Sequence, residues 1–296
     1  MNIVFQFKEM TSQIKSCSQY LSVLFLFAMT LLACDDQQFD RMVVKADEEW
    51  IRGRNQTAIE ILKSVLEKVP SGLLAEKIIF RLGEINYFTL NNSSRALYYF
   101  QELLRLSPKS PLSYSAQKYI AEIVEFELKD LDQAIIENQK LIDDFNYPKD
   151  RGDYQFRIAS IYFKKQESEQ ALVELEILLE NFSESPWAEE AAFRIANILY
   201  TANRCGEARK RYDWFVKRFP KSKYISEMDF VMASCLEEEG ELNLAYDKFK
   251  SLEGSYRYPS LLKLKLEGIE ERLRKKRGKR KKSPYILKKK SKAKKI

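Results

Sequence analysis

Alanine returns at a nearly fixed interval along most of this chain, and that regularity constrains the fold more than any other feature. The spacings are 38, 38, 37, 37 and 37 residues for the series Ala58, Ala96, Ala134, Ala171, Ala208 and Ala245. A second small-residue series precedes the first by 12 or 13 residues each time: Ala46, Gly83, Ala121, Ala159, Ala196 and Ala233. Two crossing helices need small residues at their closest contact, because larger side chains would overpack it. The sequence therefore predicts six helical hairpins over residues 39–258.

Apolar residues recur within each period at the three- and four-residue steps of a helix face. Around Ala196 they include Phe193, Ile195 and Leu199, and polar turns such as 203–206 separate the two helices of a pair. Proline cannot continue a helix interior and marks the bend after each second helix, at Pro70, Pro108, Pro148, Pro186, Pro220 and Pro259. The pattern predicts an all-α chain.

The composition removes several kinds of chemistry. The chain has no histidine, which excludes imidazole-dependent catalytic triads, metal sites and pH switches. Its four cysteines are too few and too scattered for a disulfide framework or a zinc site. We expect Cys205 and Cys235 to be buried free thiols, with pairing in an oxidising compartment as the alternative. Adjacent carboxylates such as Glu189 and Glu190 point apart on a helix, so we expect no catalytic residues, no metal and no cofactor.

The repeat resembles the tetratricopeptide repeat (TPR). Leu82-Gly83 and Ile195-Ala196 look like its small-residue signature, and Phe219-Pro220 matches its closing proline. The usual period is about 34 residues. The longer period here is similar to periplasmic TPR lipoproteins, in particular the BamD (YfiO) family of the outer-membrane β-barrel assembly machine and the YbgF-type Tol-Pal coordinators. The resemblance implies a right-handed α-solenoid of about six TPR hairpins.

An apolar run of thirteen residues, 21–33, lies near the N-terminus, behind two lysines and directly before Cys34. A transmembrane helix needs about 20 apolar residues, so this run has instead the length of a signal-peptide core. Translation beginning at Met10 would give a more ordinary signal than translation from Met1, and both starts remain open. A buried N-terminal helix with an incidental cysteine is the alternative.

Residues 31–34, Leu-Leu-Ala-Cys, resemble the lipobox of bacterial lipoproteins, which implies cleavage after residue 33 and acylation of Cys34 by palmitate-type chains. We therefore predict a lipoprotein signal peptide at 1–33 and a lipidated linker at 34–38. The protein would be anchored in the cell envelope and face the periplasm. The BamD resemblance favours the outer membrane, whereas Asp35 resembles the inner-membrane retention signal of enteric bacteria.

The C-terminal end is strongly basic: residues 272–296 hold 15 Lys or Arg and no Asp or Glu, whereas the remainder has a net charge of −8. An apolar face predicts a capping helix over residues 259–277, and the density of like charge predicts a disordered tail over 278–296. We expect anionic lipid headgroups to be the target; an acidic partner or the acidic solenoid itself is the alternative, and nucleic acid is not expected after export. The basic residues concerned are Arg274, Lys275, Lys276, Arg277, Lys279, Arg280, Lys281 and Lys282.

The first helices of stacked hairpins line a concave surface on which an extended peptide can dock. Positions three before each small residue of these helices, and one turn after it, are mostly aromatic. The predicted partner groove comprises Phe80, Tyr87, Phe156, Phe163, Phe193, Asn197, Tyr200 and Phe230. The alternative is that these rings pack between neighbouring hairpins.

Together these features predict a membrane-anchored periplasmic scaffold, without enzymatic activity, that binds protein partners in envelope biogenesis. The BamD resemblance implies partners in outer-membrane β-barrel assembly, and a Tol-Pal or cell-division adaptor is the alternative within the same class. A peptidoglycan lyase is disfavoured because no stretch of about a hundred non-repeat residues remains for a catalytic domain. A nucleic-acid-binding protein would require the export signal to be false.

Overall fold

The computed structural model describes residues 37–281, with side chains through residue 277, and this part of the chain contains thirteen helices and no strand. The first helix, α1, covers residues 37–51. The others follow in chain order: α2 Asn55–Leu66, α3 Leu73–Glu84, α4 Ser93–Leu106, α5 Ser113–Glu122, α6 Leu131–Asp143, α7 Arg151–Lys164, α8 Ser168–Asn181, α9 Ala188–Thr201, α10 Cys205–Arg218, α11 Ile225–Glu238, α12 Leu242–Ser251 and α13 Pro259–Lys281. The prediction of an all-α chain of TPR-like helical hairpins is confirmed.

All twelve small residues of the two series are buried. Gly83 shows the physical reason, because an ideal Cβ at this position would lie 2.6 Å from Cε1 of Phe100 on α4. Even one methyl group would clash with the Phe100 ring at the α3–α4 crossing. The recurring small residues therefore mark helix crossings, as their spacing predicts.

The helices divide into two compact units, Met1–Lys129 and Asp130–Ile296. The first contains α1 to α5, and its core includes Leu62, Ile78 and Leu82. The second contains α6 to α13, in which α7 pairs with α8, α9 with α10 and α11 with α12.

The helix α13 closes the second unit. Its residues Leu262, Leu266 and Ile269 are buried in one apolar cluster with Phe249 of α12. It continues to Lys281, four residues past the predicted boundary at 277, so residues 278–281 are helical where a disordered tail was expected. Basic side chains at the C-terminal end of a helix interact favourably with its dipole, which supports these last turns.

Two π-turns extend the first helices of the second and third hairpins. Ile85–Thr89 continues α3 and Ile123–Glu127 continues α5, with the Leu90 and Leu128 amides donating to the carbonyls five residues earlier. A π-turn accommodates one extra residue in a helix. These are the two hairpins in which the small residues are 13 rather than 12 apart. The π-turns therefore contain the additional residue of the 38-residue repeats.

Each hairpin turn contains one residue in the left-handed region. The φ angles lie between 49° and 83°, for Gly53, Asn91, Lys129, Gln166, Asn203 and Gly240. Four of the six are not glycine, so glycine alone does not reveal the turns in the sequence. The spacing of these residues is again 38, 38, 37, 37 and 37.

Cys205 and Cys235 form a disulfide, with their Cα atoms 5.3 Å apart. The expectation of free thiols is wrong. Cys205 is the first residue of α10 rather than part of the turn before it, and α10 packs against α11, which carries Cys235. Both residues are buried in the second unit.

The predicted signal peptide, Cys34 and residues 282–296 lie outside the described residues. Helix α1 begins at residue 37, inside the predicted linker 34–38. Within residues 37–281, no helix combines the length and the apolar character that a bilayer crossing requires.

Candidate docking groove and aromatic columns

A groove of about 610 Å³ runs between α1 and α3 in the first unit. Its apolar wall includes Val43, Val44, Leu74 and Phe80, and its polar groups are Asp40, Asp47, Lys77, Arg81 and Glu84. Val44 is 59% exposed, although it is aliphatic. The structure therefore places Phe80, one of the predicted groove residues, in the wall of a real concavity.

Arg81 organises the charged side of this groove. Its guanidinium pairs with Asp47 at 2.8 Å and with Glu84 at 2.7 Å, and it lies 5.3 Å from the centre of the Trp50 ring. Burial raises the pKa of Glu84, and the positive charge of Arg81 opposes that rise. Trp50 in turn donates from Nε1 to Oγ1 of Thr89 at 2.7 Å. The contacts fix a cation between two carboxylates beside an apolar wall.

Phe80 also belongs to an aromatic cluster centred on Tyr119 of α5. The Tyr119 ring lies 6.0 Å from Phe80, 5.8 Å from Tyr87, 5.5 Å from Phe88 and 5.0 Å from Phe100. Burial raises the pKa of Tyr119. The cluster joins the groove wall to the C-terminal end of α3, where Phe88 is exposed.

The π-turns change which aromatic residues are exposed at the ends of the first helices. The residue three positions before the left-handed turn residue is aromatic in five of the six hairpins: Trp50, Phe88, Phe126, Phe163 and Tyr200. Phe88, Phe126 and Phe163 are each more than half exposed. A constant offset from the small residues selects Tyr87 instead of Phe88 and the buried Glu125 instead of Phe126. The sequence prediction therefore missed both exposed phenylalanines, although the 13-residue spacing of these two hairpins carried the signal.

In the second unit three of the predicted groove phenylalanines each stack on an aromatic residue 26 to 31 positions further along the chain. Their ring centres lie 4.5 Å (Phe156 to Trp187), 4.8 Å (Phe193 to Tyr224) and 4.5 Å (Phe230 to Tyr256) apart, with planes within 11° of parallel. Phe156 is only 7% exposed. These rings pack between successive elements of the second unit, and their binding of a partner stays a prediction.

A carboxylate three residues before each phenylalanine accompanies the stacked ring. Trp187 donates from Nε1 to Asp153 at 2.8 Å, and the Tyr224 hydroxyl donates to Glu190 at 3.0 Å. Burial, reinforced by the negative charge of Glu227, raises the pKa of Tyr256 to about 12. Each set combines a carboxylate, a phenylalanine and the ring stacked on it, and we call them the aromatic clasps: Asp153, Phe156 and Trp187; Glu190, Phe193 and Tyr224; Glu227, Phe230 and Tyr256.

The remaining predicted site residues fall in different environments. Asn197 is half-buried and donates from Nδ2 to the Phe193 carbonyl at 3.1 Å, while Tyr200 packs on the core of the second unit. The basic side chains 274–277 are exposed on α13, residues 279–281 belong to its last turn, and Lys282 lies outside the described residues. Among residues 37–277, no group of three or more acidic or cysteine side chains is placed to bind a metal ion.

Comparison with known proteins identifies repeats of one kind. The family model described as "Tetratricopeptide repeat" matches residues 78–110 and 153–185. A search of curated proteins gave no significant match.

The chain is also similar to several solved structures. A tetratricopeptide repeat protein from Parabacteroides merdae is 16% identical, with 79% of this chain and 99% of that chain covered and a TM-score of 0.44. Pseudomonas aeruginosa pilF is also 16% identical, with coverages of 80% and 98% and a TM-score of 0.42. A chain from the structure of Naa15/Naa10 bound to HypK-THB reaches a TM-score of 0.59 at 17% identity, with coverages of 82% and 35%. At these identities the likeness concerns the fold alone.

Proposed function

Because residues 78–110 and 153–185 are tetratricopeptide repeats, we propose that this chain is a non-catalytic scaffold that binds protein partners through the groove between α1 and α3. The observation that carries the proposal is the combination of an apolar wall with a fixed cation. Val44 remains exposed in that wall, and Arg81 is held by Asp47 and Glu84. A repeat array presents such a surface to an extended or helical segment of another protein.

The matching ligand segment has an apolar side chain for the wall formed by Val44 and Phe80, flanked by polar or charged groups that meet Lys77 and the carboxylates. The exposed ring of Phe88 extends the apolar area through Tyr119. Aromatic residues at the centre of an interface contribute most of its binding energy, so this end of α3 is the expected hot spot.

We place the scaffold in the cell envelope, anchored through Cys34 and facing the periplasm. The apolar run before Cys34 supports export, and the Cys205–Cys235 disulfide is consistent with it because disulfides persist in oxidising compartments. Outer-membrane β-barrel assembly is the narrower role that the BamD resemblance favours, and a Tol-Pal or cell-division adaptor is the second candidate.

Affinity purification from solubilised envelopes, followed by quantitative mass spectrometry, tests the groove. Val44→Ser combined with Phe88→Ser should remove the main co-purifying protein, while helical content and melting stay nearly unchanged because both side chains are exposed. Tyr98→Ser, on the equally exposed α4 surface of the same unit, is the matched control. Retention of every partner by the double variant would refute the groove.

The anchor is tested separately by cell fractionation and fatty-acid labelling. Cys34→Ala should release the protein from membranes or leave it as an uncleaved precursor, since two or more acyl chains bind membranes stably. Unchanged size and membrane association, with no label on the wild type, would refute acylation without affecting the groove.

A further inference from the structure

Helix α13 extends far beyond the hairpins that it caps. It has 23 residues, whereas α2 to α12 have 10 to 14. One side packs on α12 through Leu262, Leu266 and Ile269. On the same side, Lys265 and Arg272 both reach Glu237 of α11 at 2.8 Å. These contacts hold the inner face of the helix against the rest of the second unit.

The opposite face of α13 is apolar at its beginning and exposed. Leu264 is 65% exposed and Leu261 is 41% exposed. Gly268 follows at helical spacing, and a Cβ on it would meet no atom within 4 Å. Residues 261, 264, 268 and 275 share this face because they are three, four or seven positions apart.

The helix becomes cationic toward its C-terminal end. Two carboxylates on its exposed side are already paired, Glu267 with Lys263 at 3.9 Å and Glu271 with Lys275 at 2.7 Å. Residues 274–277 are four exposed basic residues that surround the helix, and Lys275 among them shares the face of Leu261 and Leu264. Exposed leucines and exposed basic residues thus follow one another along a single helix.

We infer that this outer face of α13 is a docking surface for an anionic lipid bilayer. A helix lying flat on a membrane buries apolar side chains at the acyl boundary while its lysines and arginines meet acidic headgroups. A nucleic acid would be attracted by the charge alone and would make no use of Leu261 and Leu264, whereas a bilayer uses both. The inference does not depend on the groove of the first unit.

Co-sedimentation with lipid vesicles tests this surface, using the chain from Asp35 onward, which contains every described helix. It should bind vesicles of phosphatidylcholine mixed with phosphatidylglycerol at least about tenfold more tightly than pure phosphatidylcholine at about 0.1 M salt. Leu261→Gln combined with Leu264→Gln should weaken that binding about tenfold with an unchanged melting temperature. Leu244→Gln, at a 56% exposed position on α12, is the matched control and should bind normally.

Two results would overturn the inference. Failure of the unaltered chain to bind the acidic vesicles would remove the bilayer as the partner. Equal binding by the chain with both leucines replaced would show that charge alone acts, and would assign the basic end to polyanions such as an acidic protein. Loss of binding in both the double variant and the Leu244→Gln control would likewise exclude a specific role for this face.

Discussion

The two units place aromatic side chains at equivalent repeat positions but put them to different use. In the second unit, Phe156, Phe193 and Phe230 are covered by stacked rings in the aromatic clasps. In the first unit, the rings gather around Tyr119, and Phe88 stays more than half exposed. An aromatic residue at a recurring position therefore does not identify a binding surface until its covering neighbour is known.

The units also differ in charge. Residues 37–129 hold 12 acidic and 13 basic side chains, whereas residues 130–271 hold 28 acidic and 20 basic ones. The acidity of the body therefore lies in the second unit, the same unit from which the basic end of α13 projects. The first unit, which is nearly neutral, is the better surface for an apolar peptide.

The largest expected effect on stability is the difference between replacing a buried phenylalanine in the second unit and an exposed one in the first. Phe156→Ala should lower the free energy of unfolding of the second unit by about 3 to 5 kcal/mol, because the ring is buried against Trp187. Phe88→Ala in the first unit should cost under about 1 kcal/mol. Denaturant unfolding, with hydrogen exchange to assign each unit, measures both. A stable Phe156→Ala protein that loses its partner would instead make the clasp a binding site.

Removal of the disulfide should affect only the second unit. Cys205→Ser combined with Cys235→Ser should lower its stability by about 2 to 4 kcal/mol, because the bond restricts the unfolded chain between two positions 30 residues apart. Hydrogen exchange in α3 and α4 should not change. Destabilisation spread equally over both units would show that they unfold as one cooperative body.

Substitutions in the left-handed turns should have smaller effects on stability, of similar size in both units. Lys129→Gly and Gln166→Gly should each stabilise by about 0.5 to 1 kcal/mol, since a side chain at positive φ is strained and glycine is not. Gly240→Ala should destabilise by a similar amount. Thermal melts of the three proteins measure this, and a gain at only one of the two positions would mean that its side chain has a compensating contact.

The smallest expected effect is on the pH dependence of stability. The folded-state pKa of Glu84 is raised, so its protonated form stabilises the first unit, and this contribution is lost as pH rises through the folded pKa. The pKa of Glu207 in the second unit is lowered by its hydrogen bond to Arg204, so its contribution is lost only below pH 4.5. Between neutral pH and about 4.5 the first unit should gain stability relative to the second. Glu84→Gln should abolish that difference in pH-dependent melts.

The repeat period in the sequence was sufficient to predict the helical hairpins. Each small residue marks a helix crossing and each proline marks a helix end, and both can be recognised from the local sequence. Gly83 needs no knowledge of Phe100 to be recognised as a crossing position once its period is seen. The π-turns were not predicted, since a one-residue difference in spacing does not say where the extra residue goes. Its effect was to move the exposed position from Tyr87 to Phe88.

Contacts between hairpins were less accessible from the sequence. Trp187 and Tyr224 lie 31 residues after the phenylalanines that they cover, and no local pattern links them. The Cys205–Cys235 pair depends in the same way on α10 packing against α11. The helical length of α13 was underestimated because charge repulsion was weighed without the favourable dipole at its C-terminal end.

The two π-turns make hairpins of different length interchangeable. A repeat can gain one residue inside its first helix and still present its small residues and its left-handed turn at equivalent places. Duplication followed by single-residue insertion would then leave the stacking of the array intact while rotating one ring into solvent. New binding surfaces can arise in such an array by a change of length alone, without replacement of any side chain.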